Sequence, residues 1–333
     1  MKHYWKITAV LVVAFALTAC EEMTGGLRQD RSTGNTAEIL VVVQNEDQWE
    51  GPIGDTIRAC FLDYQYGLPQ PETRYDLKHI KASSFSEIYR KHKSILEVAV
   101  DPKFDKAIAE SSEDPMAAPQ RYIKISAPND SAWVALFDKQ KEVYLQWFDK
   151  VERERTMSAL SSSVDDNISN AIARRMGFKM TVPKGFYVAV DNDEFMWIRK
   201  ELERSSSCLI IYRTPYQDTL QFEPQNLLAM RDMMVKKYIP GPSEGSYMAT
   251  ENSYMPPKVT RAPDFPAGYT MEMRGMWKVE NDFMGGPFVS YTFVDSRTNN
   301  LVTVEGYYYE PNQRKRNKML QLESILYSLQ FVD

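Results

Sequence analysis

The chain has 333 residues, 43% hydrophobic and 12% aromatic, with a formal net charge of −5 at pH 7. That is enough apolar material for two cores, and a moderately acidic chain is a poor nucleic-acid binder, so no nucleic-acid partner is expected. The three histidines, one of them at position 3, argue against histidine-rich zinc sites and histidine-based triads; no metal and no cofactor are expected.

In chain order, Lys2 and Lys6 make a short positive region, and Ile7 to Leu17 follow without a charge. A run of that length falls short of the roughly 20 apolar residues a bilayer span needs, but it suits the core of a signal peptide. It ends in Leu17-Thr18-Ala19-Cys20, which matches the lipobox of bacterial lipoproteins. Small residues at 18 and 19 let a peptidase approach the backbone, and the Cys20 thiol is the nucleophile that takes the diacylglycerol. The expectation is a leader over 1–19, lipid on Cys20, and a membrane as partner through that anchor. Losing the leader makes the charge two units more negative. Glu21 and Glu22 resemble the surface-export signal of Bacteroidota lipoproteins; a plain solvated tether is the alternative. Residues 20–36 are rich in Gly, Thr, Arg and Asp and read as a flexible tether.

Residues 37–155 are expected to form an N-terminal α/β domain. Glu38-Ile-Leu-Val-Val-Val43 reads as a buried strand, and Trp49-Glu-Gly-Pro-Ile-Gly-Asp55 opens a helix, with Pro52 in its first turn. Strands are predicted near 73–80, 95–100 and 121–126, with a short helix at 84–92. Trp133, Phe137, Tyr144, Phe148 and Val151 recur at helical spacing. A connecting helix is expected over 156–177, closed by Gly177.

The C-terminal domain is placed at 178–333. Strands are predicted near 186–190, 195–199, 207–213, 269–279, 287–294 and 301–309, a helix at 224–238, and a final helix capped by Asn312. The Pro- and Gly-rich stretch 240–268 reads as irregular. The class is therefore α+β: an N-terminal α/β domain followed by an α/β/α domain with a mainly antiparallel sheet.

The stretches 38–42, 49–55, Trp277, Asn281-Asp-Phe-Met-Gly-Gly-Pro-Phe-Val-Ser-Tyr291 and Val304-Glu-Gly306 resemble an uncharacterised domain-of-unknown-function family of Bacteroidota lipoproteins. The resemblance implies no reaction. Val182-Pro-Lys-Gly-Phe186 and Ile325-Leu-Tyr-Ser-Leu329 resemble the PsbP/Mog1-type fold, whose members mostly bind or assist assembly, though fold alone does not give function.

One candidate ligand site stands out. Arg274, Asp282, Gly285, Gly286, Ser290 and Glu305 are predicted to share a sheet face beside a glycine turn whose amides could receive an anion. The alternative is a tight turn with cross-strand charge pairs. Trp277 points the other way, into the core. Asp191-Asn-Asp-Glu194 lacks the glycine and distal glutamate of a calcium loop and reads as a hairpin turn. Arg314, Lys315, Arg316 and Lys318 are either a solvated basic face or a site for an acidic partner or lipid headgroups. Cys60 and Cys208 read as buried apolar residues, with a disulfide as the alternative.

The functional expectation is a cell-envelope lipoprotein, anchored in the outer membrane, that binds an envelope protein or a small polar ligand without catalysis. The alternative is a hydrolase acting on glycan through a carboxylate pair, for which a deep cleft with two convergent carboxylates would speak.

Overall fold

The computed structural model describes residues 30–332, so Cys20, the lipobox and the first part of the tether lie outside the described residues. The last part of the tether is held down. Ser32 N donates to the Ala118 carbonyl and Thr33 N to that of Lys91, while Lys93 N donates back to the Thr33 carbonyl. Arg155 reaches the Gly34 carbonyl at 2.6 Å. Residues 30–36 were expected to be flexible; the free edge groups of the neighbouring chain pin them.

The first sheet contains β1 (Glu38–Val43), β2 (Asp76–Lys81), β3 (Ser94–Val100), β4 (Ile108–Glu113) and β5 (Arg121–Ala127), in the order β2-β1-β3-β5-β4. All pairings are parallel except that of β4, the antiparallel edge. β1 is buried at all six positions, as befits a central parallel strand covered on both faces. After it, Asn45 caps α1 (Glu46–Glu50) by accepting from Gln48 N, and Pro52 starts α2 (Pro52–Phe61). α3 (Glu87–Arg90) is a single turn. α4 (Asp130–Leu160) is a 31-residue helix capped by Asn129. Ile53, Ile57 and Phe61 of α2 meet Trp133, Phe137 and Phe148 of α4 over one face of the sheet. The aromatic stripe of α4 is therefore core.

The second sheet has eight strands, all antiparallel. After α5 (Asp166–Met176) and β6 (Phe178–Lys179) come β7 (Tyr187–Asp191), β8 (Phe195–Glu201) and β9 (Ser206–Pro215). α6 (Pro224–Tyr238) precedes β10 (Tyr247–Glu251), β11 (Lys258–Arg261), β12 (Thr270–Glu280), β13 (Gly285–Asp295) and β14 (Asn300–Tyr309). α7 (Arg316–Tyr327) and β15 (Gln330–Phe331) end the chain, and β15 pairs with β6. α5 and α7 cover one sheet face through Ile172, Met176, Leu322 and Leu326, and α6 covers the other through Met234 and Val235. The observed class is α+β, with a mainly antiparallel second sheet between helices.

Several elements depart from the sequence reading. The connecting helix expected over 156–177 is broken: α4 runs on to Leu160, and α5 covers only Asp166–Met176. β4 has no clean apolar alternation (Ile-Ala-Glu-Ser-Ser-Glu) and forms because β5 offers it an edge. The stretch 240–268 carries β10 and β11, both paired to β12. The last helix begins at Arg316, and Asn312 is a left-handed turn residue (φ 60°) before it, not its cap.

Candidate functional site

The site predicted on the β12–β13 hairpin comes apart. Met273 pairs with Ser290, and Ser290 with Glu305, so Ser290 and Glu305 share the face of Met273 and Trp277. Arg274 is the next residue on β12 and points to the other face. The expected grouping was one residue out of register, and a one-residue slip exchanges faces. Gly285 and Gly286 already belong to β13, opposite Lys278 and Trp277, so they sit in a ladder and not in an anion-binding turn. A Cβ on Gly286 would lie 2.2 Å from the Tyr308 carbonyl oxygen, which explains the glycine by close strand approach. The turn's left-handed residue is Asn281, at φ 66°. Asp282, at the exposed tip, accepts from the Ser243 hydroxyl at 2.6 Å.

Glu305 is fully buried and bound by Arg231 of α6 through two bonds, at 2.8 and 2.7 Å. Arg231 also donates to the Thr250 hydroxyl and lies 3.8 Å over the Phe288 ring. This is a satisfied core ion pair. Arg231 occupies the apolar stripe of α6 between Leu227 and Met234, and a charge on such a stripe is the signal that sequence reasoning passed over.

Arg274 belongs to a different place, a cleft of about 860 Å³ between the two domains. α2, the 63–66 loop and α4 form one wall; β11, β12, the 262–264 loop and α7 form the other. The floor is a ladder of ion pairs. Arg274 donates to Glu272 at 3.0 Å and to Glu323 at 2.8 Å, and the Tyr291 hydroxyl donates to Glu272 at 2.9 Å. Arg153 of α4 lies 3.6 Å from Glu323, bonds Asp264, and stacks 3.8 Å over the Tyr327 ring. Arg74 bonds Asp149, which also accepts from the Tyr75 hydroxyl at 2.5 Å. Burial pushes the Glu272 carboxyl up, but the Arg274 guanidinium outweighs it and holds the group below the usual carboxylate range. Asp149 is held down in the same way, burial being outweighed by Arg74 and Arg153. The two convergent carboxylates, Glu272 and Glu323, thus share one permanently charged arginine. Such a floor is shaped for charge-assisted recognition.

The walls are held at their spacing by contacts across the domains. Glu72 accepts from the Lys315 and Arg316 amides at 2.6 and 3.2 Å, so a carboxylate from the first domain caps α7. Arg316 returns bonds to the Thr73 carbonyl and Asp76, and the Lys315 ammonium reaches Gln70 at 2.9 Å. Part of the basic cluster at 314–318 is therefore spent inside the molecule. Gly67 is left-handed (φ 85°), and a Cβ there would lie 3.2 Å from Gly275 backbone and the Arg274 side chain. The approach of the domains at that point requires glycine.

The remaining sequence candidates have structural roles. Arg175 bonds Asp191 and Asp193, and Lys237 and Tyr238 hold Glu194. Cys60 and Cys208 are free thiols belonging to different cores. His79 stacks on Trp49 at 4.3 Å, and buried His92 lies 3.1 Å from Glu38. Among the described residues no group of three or more His, Cys, Asp or Glu side chains is arranged to hold a metal, and no helix is long and apolar enough to cross a membrane.

Residues 32–161 match the family model described as a domain of unknown function (DUF8532), and residues 165–328 match a second domain of unknown function (DUF4837). No curated protein matches the chain. Among solved structures, the human StarD13 (DLC2) lipid transfer and protein localization domain is similar at 10% identity over 44% of this chain and 90% of that chain, with a TM-score of 0.23.

Proposed function

We propose that these two domains of unknown function form a membrane-anchored, non-enzymatic binding protein of the cell envelope, whose small polar ligand seats in the cleft between them. The observation that carries this reading is the cleft itself. Its volume falls in the roughly 300–1,000 Å³ range of small-ligand sites, and domain interfaces are favoured places for them. Its floor is charged and pre-organised by ion pairs from both domains, which suits selective recognition. The lipobox at Leu17–Cys20 supports the anchor and an outer-membrane address, and the acidic pair after it supports a Bacteroidota lipoprotein. Helices on both faces of the antiparallel sheet support the PsbP/Mog1-like reading of the second domain.

The test is a blocked cleft. Thr260 lines the cleft and is exposed, so Thr260→Trp obstructs it without disturbing the core. The full-length lipoprotein in detergent is heated with the low-molecular-weight fraction of its own envelope. Binding at about 100 times Kd adds about 2.7 kcal/mol to the native state. The wild type is expected to melt several degrees higher in the extract and the tryptophan variant not to respond. Equal shifts in both proteins, or no shift in either, overturn the cleft as the site.

A further inference from the structure

Sixteen charged side chains line the cleft, and all but four are engaged in ion pairs. The four without an ion-pair partner among the described residues are Asp63 and Glu142 on the first-domain wall, and Lys258 and Arg261 on the second-domain wall. Lys258, opposite Arg274, lies 4.0 Å over the Tyr66 ring and stays exposed; Arg261, opposite Met271, points to the other sheet face, 5.2 Å over the Tyr269 ring, so Lys258 is the cation that faces the cleft. The free charge of the cleft is thus sorted: negative on one side, positive on the other. A ligand of one sign would meet repulsion from one wall, and a neutral one would leave both walls unanswered. The complement is a molecule carrying a cationic and an anionic group held apart.

A second observation narrows the class. β11 (Lys258–Arg261), which supplies that cation, pairs on one side only, with β12. On its other side no backbone or side-chain group among the described residues bonds its amides and carbonyls. By register, Lys258 stands opposite Arg274 and Thr260 opposite Glu272, so this free edge borders the cleft floor. An unpaired strand edge beside a cleft is a template for an extended chain, which gains affinity from main-chain bonds and selectivity from side chains.

We propose that the cleft takes a short extended peptide bearing both charges: its backbone pairs along the free edge of β11, its carboxylate lies towards Lys258, and its ammonium or guanidinium faces Asp63 and Glu142. This rests on the reading of the cleft as a ligand site.

The experiment presents the detergent-solubilised lipoprotein with a pool of randomised pentapeptides with free termini and identifies retained sequences by mass spectrometry. Sequences with one basic and one acidic group at a fixed spacing are expected to be enriched at least tenfold over uncharged ones. Lys258→Ala removes the preference for the acidic group, and Asp63→Asn with Glu142→Gln removes that for the basic group. All three positions are exposed, so these variants keep the fold. N-methylation of alternate amides in the best binder weakens it at least tenfold. No enrichment, enrichment unaffected by these substitutions, or full binding by the N-methylated peptide each overturns the proposal. Glycerophosphoethanolamine and soluble oligosaccharides are run in parallel. If one of these binds the wild type and not Thr260→Trp while peptides fail, the cleft remains a ligand site and only the peptide assignment falls. If nothing discriminates the blocked variant, both fall.

Discussion

Arg231 and Glu305 meet in the interior of the second domain through two hydrogen bonds, at 2.8 and 2.7 Å, and solvent reaches neither side chain. Removing one partner strands a charge in the core. Glu305→Ala is expected to cost about 3–5 kcal/mol in urea unfolding followed by tryptophan fluorescence. The double variant Arg231→Met with Glu305→Leu is expected to be milder than either single change, because no charge remains to be desolvated. A double variant as damaged as the single ones would show that the pair contributes directional bonding beyond mutual neutralisation.

Acid should loosen the first domain through Glu38 and His92. Burial raises the Glu38 carboxyl, but Lys78, His92 and Asn35 outweigh it and hold the group at about 2. Its stabilisation is therefore present above the unfolded carboxylate range and lost as pH falls towards 2. Burial lowers His92, against the pull of Glu38 and the Ser94 carbonyl, so the folded state favours the neutral ring. That contribution is complete above the ordinary histidine value and declines below it. Stability is expected to fall from about pH 6.5 downwards, with a second fall below about pH 4.5. In His92→Gln the first decline should shrink while the second remains. An unchanged profile in that variant would remove His92 from the account.

Glu72 caps α7 from the other domain, so Glu72→Ala should act on both. Losing a cap costs about 1 kcal/mol, and here it also releases one tie across the cleft. Hydrogen exchange of the Lys315–Met319 amides is expected to quicken, with α5 amides unchanged. Uniform loss of protection would instead mark a global destabilisation.

Under the proposed lipid anchor, Cys20→Ala is expected to release the protein from membranes, since the acyl chains would supply the affinity. Fractionation and fatty-acid labelling like wild type would refute the anchor.

Much of the fold could be read from residues because its signals are local. β1 has five apolar residues in a row after Glu38, and α4 repeats aromatics at helical spacing. The cleft could not be read this way. Its lining comes from residues 37 to 327 and exists only once two separate cores have formed. Arg274 was singled out as part of a polar sheet face beside a glycine turn, and it was given the wrong neighbours. Side-chain direction in a sheet depends on register, and the Asn281 turn that fixes register gives no sign of it in a single sequence. β11 was missed because Lys-Val-Thr-Arg is short and lies among prolines. The partners of Glu72 are more than 240 residues away, and no local pattern announces them.

Glu152 and Arg153 are neighbours on α4 that serve different domains. Glu152 accepts from Ala37 N at 2.9 Å and faces Lys93, while Arg153 reaches across to Asp264 and Glu323. Successive helical residues diverge by about 100°, so the two side chains leave the helix towards different halves of the molecule and help, with the Glu72 and Arg316 ties, to set how the halves are mounted. Inserting a single alanine between them would leave the helix unbroken and both chemistries intact, yet turn one mounting by about 100° and advance it by about 1.5 Å. The helix is an alignment key: it admits one rotational setting, and the shape of the space between the halves is cut by it.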